Sequence, residues 1–222
     1  MNVKKILKHS YQEIKIFCQI NTYKTEKIMS KICIGIDQSY KNCGWSICKD
    51  DKVIKYGHID YKGCRTNSDK RKLLYNKVNQ IIKFSLSEVD LKPQKVILIF
   101  ERIRLYSQGF LSMNYIVNTA GLISILIDVA YENNINCYSV DTRSWKSQIV
   151  GSSKGKKKKV LITKGKNKGK YKTITDNKTD TLNYVKNILS IDTEEDDDMA
   201  DAICISKYGF LPKNKRKLTL EK

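Results

Sequence analysis

A chain of 222 residues, 41% of them hydrophobic, is long enough to bury one core of ordinary domain size, and its formal charge of +19 calls for a polyanionic partner, nucleic acid above all. No run of 18 or more apolar residues is present, so no membrane partner is expected, and the N-terminus lacks the apolar stretch of a secretory signal. Seven cysteines, odd in number and without a C-x-x-C pair, fall mostly in apolar runs, which predicts a reduced, cytoplasmic protein and argues against structural zinc.

Val3, Ile6, Leu7, Tyr11, Ile14, Phe17 and Cys18 recur at helical spacing and predict an amphipathic helix within residues 1–28. Met29 directly precedes the first strand, so 1–28 reads either as an appended helix or as the product of an upstream start codon. A main domain over 29–210 follows. Strands are expected at 31–37, about 44–49 and 52–58, the last two joined by Asp50-Asp51, a hairpin signal without the usual glycine. A helix over 67–86 carries Leu74, Val78, Ile81 and Ile82 on its apolar face. Pro93 blocks further helix and leads into a strand at 95–101. Residues 111–132 predict a long helix, apolar nearly all round and containing Gly121, then a strand at 136–140 and a short helical piece near 142–149. The Gly/Lys-rich stretch 151–172 reads as a loop within an insertion over 151–176. A helix at 177–190, an acidic loop at 192–197, a helix at 198–208 and a basic tail at 211–222 complete the chain. This order predicts an α/β fold, a mixed five-stranded sheet with helices on both faces.

Four acids stand out against that pattern. Asp37 and Glu101 each close an apolar strand, and Asp198 and Asp201 open the run Ala202-Ile203-Cys204-Ile205. An unpaired carboxylate at the end of a buried strand costs several kcal/mol, so a cation or a role is expected there. Asp198 and Asp201, at i and i+3, share one helix face. All-carboxylate ligation selects Mg²⁺ or Mn²⁺ over zinc, and two such ions can clamp the attacking and leaving oxygens of a phosphodiester. Each acid also has a plainer reading. Asp37 can be a strand-ending turn residue, Glu101 an ion pair with Arg102, and the Asp196–Asp198 run a complement to the helix dipole. The choice between Asp197 and Asp198 as ligand is open.

Eleven lysines and one acid, Asp176, lie between Lys154 and Lys178. They predict DNA contact; the competing account is codon bias in an AT-rich genome. Tyr106, Phe110 and Tyr115 suit base stacking and core packing equally. Trp145 is expected to pack and hold its loop, and His9 and His58 to be surface or structural residues.

Ile34-Gly35-Ile36-Asp37-Gln38-Ser39, Gly44-Trp45-Ser46-Ile47, Phe100-Glu101-Arg102-Ile103, Thr142-Arg143-Ser144-Trp145-Lys146 with Val150-Gly151, and Asp198-Met199-Ala200-Asp201-Ala202 follow in an order that resembles the RuvC-type Holliday-junction resolvases, of ribonuclease H-like fold. The resemblance covers about residues 31–208. It implies a homodimeric, Mg²⁺-dependent nuclease of branched DNA with Asp37, Glu101, Asp198 and Asp201 as catalytic metal ligands. Arg102, Arg104, Arg143, Lys146, Lys154, Lys156, Lys157, Lys158, Lys159 and Lys178 are the expected DNA contacts, Lys146 and Lys178 matching the family's basic loop. Gln38-Ser39 replaces the family's Pro-Gly, and Arg104 its base-stacking aromatic; with the longer basic loop these departures resemble the phage-encoded branch. A sugar-kinase or actin-type ATPase would need a second domain and a further Gly-rich motif. A hybrid-cutting ribonuclease and a non-catalytic DNA-binding module compete with the resolvase reading.

Overall fold

The computed structural model describes residues 31–87, 93–102, 113–151, 156–161, 163, 169–176, 178–194 and 196–221, with 94, 156–158 and 172–176 described by backbone alone. The expected helix within 1–28, His9, Arg104, Tyr106, Phe110 and Lys154 lie outside the described residues, as do the side chains of Lys156, Lys157 and Lys158.

Three antiparallel strands open the domain: β1 (Ile32–Gln38), β2 (Asn42–Lys49) and β3 (Lys52–Asp60). Asp50 and Asp51, at φ 49° and 63°, make the two-residue turn between β2 and β3. Positive φ at both positions matches the right-handed twist of the flanking strands, and aspartate tolerates it. The Lys31 backbone N–H donates to Asp50 Oδ1 at 2.9 Å and ties this turn to the start of β1.

Helix α1 (Asn67–Ser87) and a single 3₁₀ turn at Pro93–Lys95 lead into β4 (Val96–Glu101), which runs parallel to β1. Helix α2 (Met113–Glu132) then crosses back to β5 (Asn136–Val140), parallel to β4. One face of the sheet, with Ile32, Ile34, Ile36, Leu98 and Phe100, packs under Leu74, Val78 and Ile82 of α1 and Leu122, Leu126 and Val129 of α2. Gly121 admits a side chain of the neighbouring helix: a Cβ there would stand 2.2 Å from the Arg71 guanidinium of α1.

Beyond β5 come α3 (Thr142–Trp145), continued by one π-helical turn at Lys146–Val150, then β6 (Lys156–Leu161) and β7 (Tyr171–Asp176). Helix α4 (Thr179–Asn183) with a π-helical turn at Tyr184–Ile188, α5 (Asp197–Tyr208) and β8 (Leu218–Glu221) follow. The second sheet face, with Cys33, Ile97, Ile99 and Val140, packs against Ile203, Cys204 and Tyr208 of α5 and against Trp145.

Three expectations need correction. The main sheet has six strands in the order β3-β2-β1-β4-β5-β8, because the tail expected at 211–222 adds β8 antiparallel to β5. The insertion expected over 151–176, read as a loop over 151–172, forms the β6–β7 hairpin across 156–176. The helix expected at 177–190 is a short α-helix followed by a wider turn. Helix α2 meets the length and composition of a membrane span, with mean hydropathy 1.4. Thr119, Leu122, Leu126, Val129 and Ala130 bury one of its faces in the core.

Candidate active site

At two strand glycines the backbone of helix α5 comes directly against the sheet. A Cβ on Gly35 would stand 2.3 Å from the Ala202 carbonyl oxygen, and one on Gly44 1.9 Å from that of Asp198. Glycine inside a strand marks such an approach of two backbones. Gly44 is the cross-strand partner of Asp37, so this contact delivers the first turns of α5, with Asp198 and Asp201, to Asp37. On the other side of β1, Ile36 stands opposite Phe100. One step further, Asp37 and Glu101 close neighbouring strands, whose spacing is about 5 Å. Asp196 caps α5 by accepting the Met199 backbone N–H at 2.9 Å. Three elements thereby bring all four expected acids to one end of the sheet.

Their charges interact strongly. Burial holds Asp37 well above the usual carboxylate range, and Glu101, Asp201 and Asp198 push it further, with Lys146 opposing. Burial raises Asp201 to about 6; the Lys146 ammonium pulls it down and Glu101 pushes it up. Asp198 is also raised to about 6, by burial and then by Asp197 and Asp196. Lys146 Nζ stands 3.4 Å from Asp201 Oδ2, and both side chains are mostly buried. The other oxygen of Asp201, Oδ1, is buried, and the Thr181 hydroxyl helps to lower the pKa of this carboxyl group.

Glu101 is held on every side. The Thr142 hydroxyl donates to its Oε1, and the Trp145 indole N–H donates to Oε2 at 3.3 Å. Its backbone N–H donates to Gln38 Oε1 at 3.2 Å, while the Gln38 amide N–H₂ donates to its carbonyl. Trp145 is fully buried, so it packs as expected and also orients a carboxylate. Sequence reasoning misses Gln38 and Thr142 in these roles; the only signal is that Gln38 departs from the family pattern.

The acids of α5 divide their tasks. Asp197 pairs with the Lys178 ammonium, whereas Asp198 is the one whose charge reaches Asp37. Among the expected DNA contacts, Arg102, Arg143, Lys159 and Lys178 are exposed. Arg102 also makes contacts within the protein. Its guanidinium donates to the Ser139 hydroxyl from Nε at 3.2 Å and Nη2 at 3.1 Å, and to the Thr219 hydroxyl, so it fastens β8 to the sheet edge. His58, 3.7 Å from Asp196, braces the cap of α5, closer to the acids than its place in the sequence suggests.

The donor chemistry fits a hard divalent cation: carboxylate oxygens from three elements, one of them, Asp201 Oδ1, buried. Among the described residues no three acid, histidine or cysteine side chains already stand in ligating geometry. Lys146, Thr142 and Trp145 hold the carboxylates instead.

No protein-family model and no curated protein sequence matches the chain. Solved structures do. Thermus thermophilus RuvC in complex with a Holliday junction substrate superposes with a TM-score of 0.54 at 11% identity, over 80% of this chain and 90% of that one. A second structure of Thermus thermophilus RuvC gives 0.52 at 12% identity, over 79% and 91%. The yeast mitochondrial Holliday junction resolvase gives 0.45 at 16% identity, over 80% and 76%. At such identities the likeness is one of fold, and the six-stranded mixed sheet covered by helices on both faces is an α/β fold of the ribonuclease H-like kind found in the RuvC resolvases.

Proposed function

We propose that this chain is a metal-dependent endodeoxyribonuclease that nicks branched DNA, Holliday junctions first among its substrates. The observation that carries this reading is the convergence of Asp37, Glu101, Asp198 and Asp201 at one end of the sheet, where burial and mutual repulsion raise Asp37, Asp198 and Asp201. Such a cluster is a standing cost to the fold. A cation-dependent role accounts for it, and a purely structural one does not. The charge of +19 and the fold shared with RuvC favour DNA as the polyanion.

Asp37, Glu101, Asp198 and Asp201 are the residues to hold Mg²⁺ or Mn²⁺, which when bound supplies Lewis-acid activation of water and of the scissile phosphate. The chain's own residues do the positioning. Thr142, Trp145 and Gln38 fix Glu101; Lys146 offsets the negative charge of the cluster; Arg143 and Lys178 lie exposed to meet the DNA backbone. The chain acts as a homodimer, since a four-way junction has near two-fold symmetry and needs two matched cuts. Helix α2 offers the interface: Met113 is 72% exposed, Val117 53% and Tyr131 81%. Free, mostly buried cysteines suit a reducing cytoplasm.

The test is incubation with a synthetic four-way junction, a fork, a plain duplex and an RNA/DNA hybrid, each with Mg²⁺, Mn²⁺, Ca²⁺ or EDTA. Cleavage of the junction with Mg²⁺ or Mn²⁺ and none in EDTA is expected. Preferential cutting of the hybrid would make the chain a ribonuclease instead.

A further inference from the structure

The lysine-rich stretch after Gly151 forms a ribbon. Strands β6 and β7 make a two-stranded sheet of their own, with Lys156 opposite Asp176 and Leu161 opposite Tyr171. Six residues per strand span about 20 Å. The ribbon is rooted at the site just described: β6 begins six residues after Val150, the end of the Lys146 turn, and β7 ends two residues before Lys178, which pairs with Asp197.

Two features suit this ribbon to DNA. Between 156 and 176 there are nine lysines and one acid, Asp176. At the end farthest from the roots, Lys159, Leu161 and Tyr171 share one face by strand alternation and register, with Leu161 46% and Tyr171 69% exposed. A two-stranded hairpin is marginal alone in water, so an apolar pair left exposed at its tip calls for a surface to cover it. Lys159 and Lys170, both exposed near the pair, restrict that surface to a polyanion with apolar faces, and a nucleic acid with accessible bases has both. A two-stranded ribbon is among the few elements the DNA major groove admits, lysines bind phosphate by releasing counterions, and an aromatic ring stacks on an unpaired base.

We propose that β6–β7 is a DNA-gripping arm. It lies in the groove of one duplex arm of a branched DNA, with its lysines toward the flanking phosphates and the Leu161–Tyr171 pair against bases unstacked at the branch. The assignment rests on the nuclease reading above and adds how the branch is recognised. It also supplies an aromatic contact at a chain position other than Arg104, where the family resemblance leads one to seek it.

The test uses the full chain in Ca²⁺, a four-way junction with 2-aminopurine at the branch, and a linear duplex of equal length. Tyr171→Ser weakens junction binding by about tenfold, abolishes the 2-aminopurine quench and leaves duplex binding unchanged, while Tyr171→Phe keeps both. Lys159→Ala weakens binding to both shapes and flattens the log K against log salt slope by about 0.9. Unchanged thermal unfolding of these variants shows that they fold. Tyr171→Ser with wild-type affinity and quench, or with equal losses on junction and duplex, overturns the arm's tip assignment. Wild-type protein that binds no junction at all sinks the nuclease reading and the arm with it. Wild-type binding and cleavage alongside variants indistinguishable from it sinks the arm alone.

Discussion

Lys146 Nζ lies 3.4 Å from Asp201 Oδ2 and 4.9 Å from the centre of the Trp145 ring, whose N–H holds Glu101. One buried ammonium therefore adjoins both the acid of α5 and the residue that orients the acid of β4. Removing one partner of a buried pair leaves the other charge uncompensated, at a cost of about 3–5 kcal/mol. Lys146→Met should destabilise the metal-free protein by an amount of that order in urea unfolding at neutral pH. Added Mg²⁺ should recover part of the loss. A variant as stable as wild type would mean that Lys146 does not neutralise the cluster.

The raised acids set a pH dependence of the opposite sign from that of an ordinary salt-bridged carboxylate. Asp198 and Asp201 titrate near 6 in the folded protein against a usual value of 3.8, so the folded state binds protons more tightly than the unfolded one. Their destabilising contribution is absent below the usual value, grows as pH rises through that window and is complete above about 6. Asp37, also raised, adds in the same direction. In EDTA, Asp37→Asn should therefore unfold at a higher temperature than wild type at neutral pH, by about 2–4 °C per kcal/mol of relief, with the gap closing as pH falls toward 4. Mg²⁺ should raise the Tm of wild type more than that of the variant. Cleavage by the variant should vanish while junction binding in Ca²⁺ persists; activity within about tenfold of wild type would remove Asp37 from the site.

Asp197 and Asp198 are adjacent, yet only Asp198 acts on Asp37, while Asp197 holds Lys178. Asp198→Asn should lower the cleavage rate by more than about a hundredfold. Asp197→Asn, acting through a neighbour, should lower it by about tenfold. Single-turnover rates on a four-way junction check the order, and the reverse order would move the ligand to Asp197.

Gln38 continues the β1–β4 ladder with its side chain, accepting from the Glu101 N–H and donating to the Glu101 carbonyl. Gln38→Ala removes both bonds at about 1 kcal/mol each. Gln38→Glu keeps the acceptor, loses the donor and adds a fifth negative charge. The expected order of both stability and cleavage rate is wild type, then Ala, then Glu. Rates that do not follow that order would confine Gln38 to a structural role.

The acids were legible in the sequence because each stands where an apolar run stops, and a buried strand rarely ends on an uncompensated carboxylate. Their convergence also had a local signal in Gly35 and Gly44, since a glycine inside a strand foretells a backbone pressed against it. Other features had none. The run Lys156-Lys157-Lys158-Lys159 has no alternation, so its strand character comes from pairing with Tyr171–Asp176 across the turn. Leu218–Glu221 is too short to carry a period, and it forms a strand because β5 offers an open edge and Arg102 reaches Thr219 across 117 positions of sequence. That long-range bond gives Arg102 a structural tie that its sequence neighbours do not signal.

The exposed side of α2 tests the dimer. Met113, Val117 and Tyr131 fall at i, i+4 and i+18, one stripe of the helix, and are 72%, 53% and 81% exposed. The opposite side, through Leu122, Leu126 and Val129, is already spent on the core, so the stripe is available to a second copy. Two such helices related by a two-fold axis bury the stripe against itself, and a charge placed on it loses its water on dimerisation. Val117→Glu should therefore turn a species of twice 25.7 kDa into a monomer of that mass in sedimentation equilibrium, with little change in Tm because the site is exposed in the single chain. On a four-way junction the monomer should leave single nicks in place of paired cuts. Wild type that sediments as a monomer, or a variant that still cuts both strands in concert, would remove α2 as the interface.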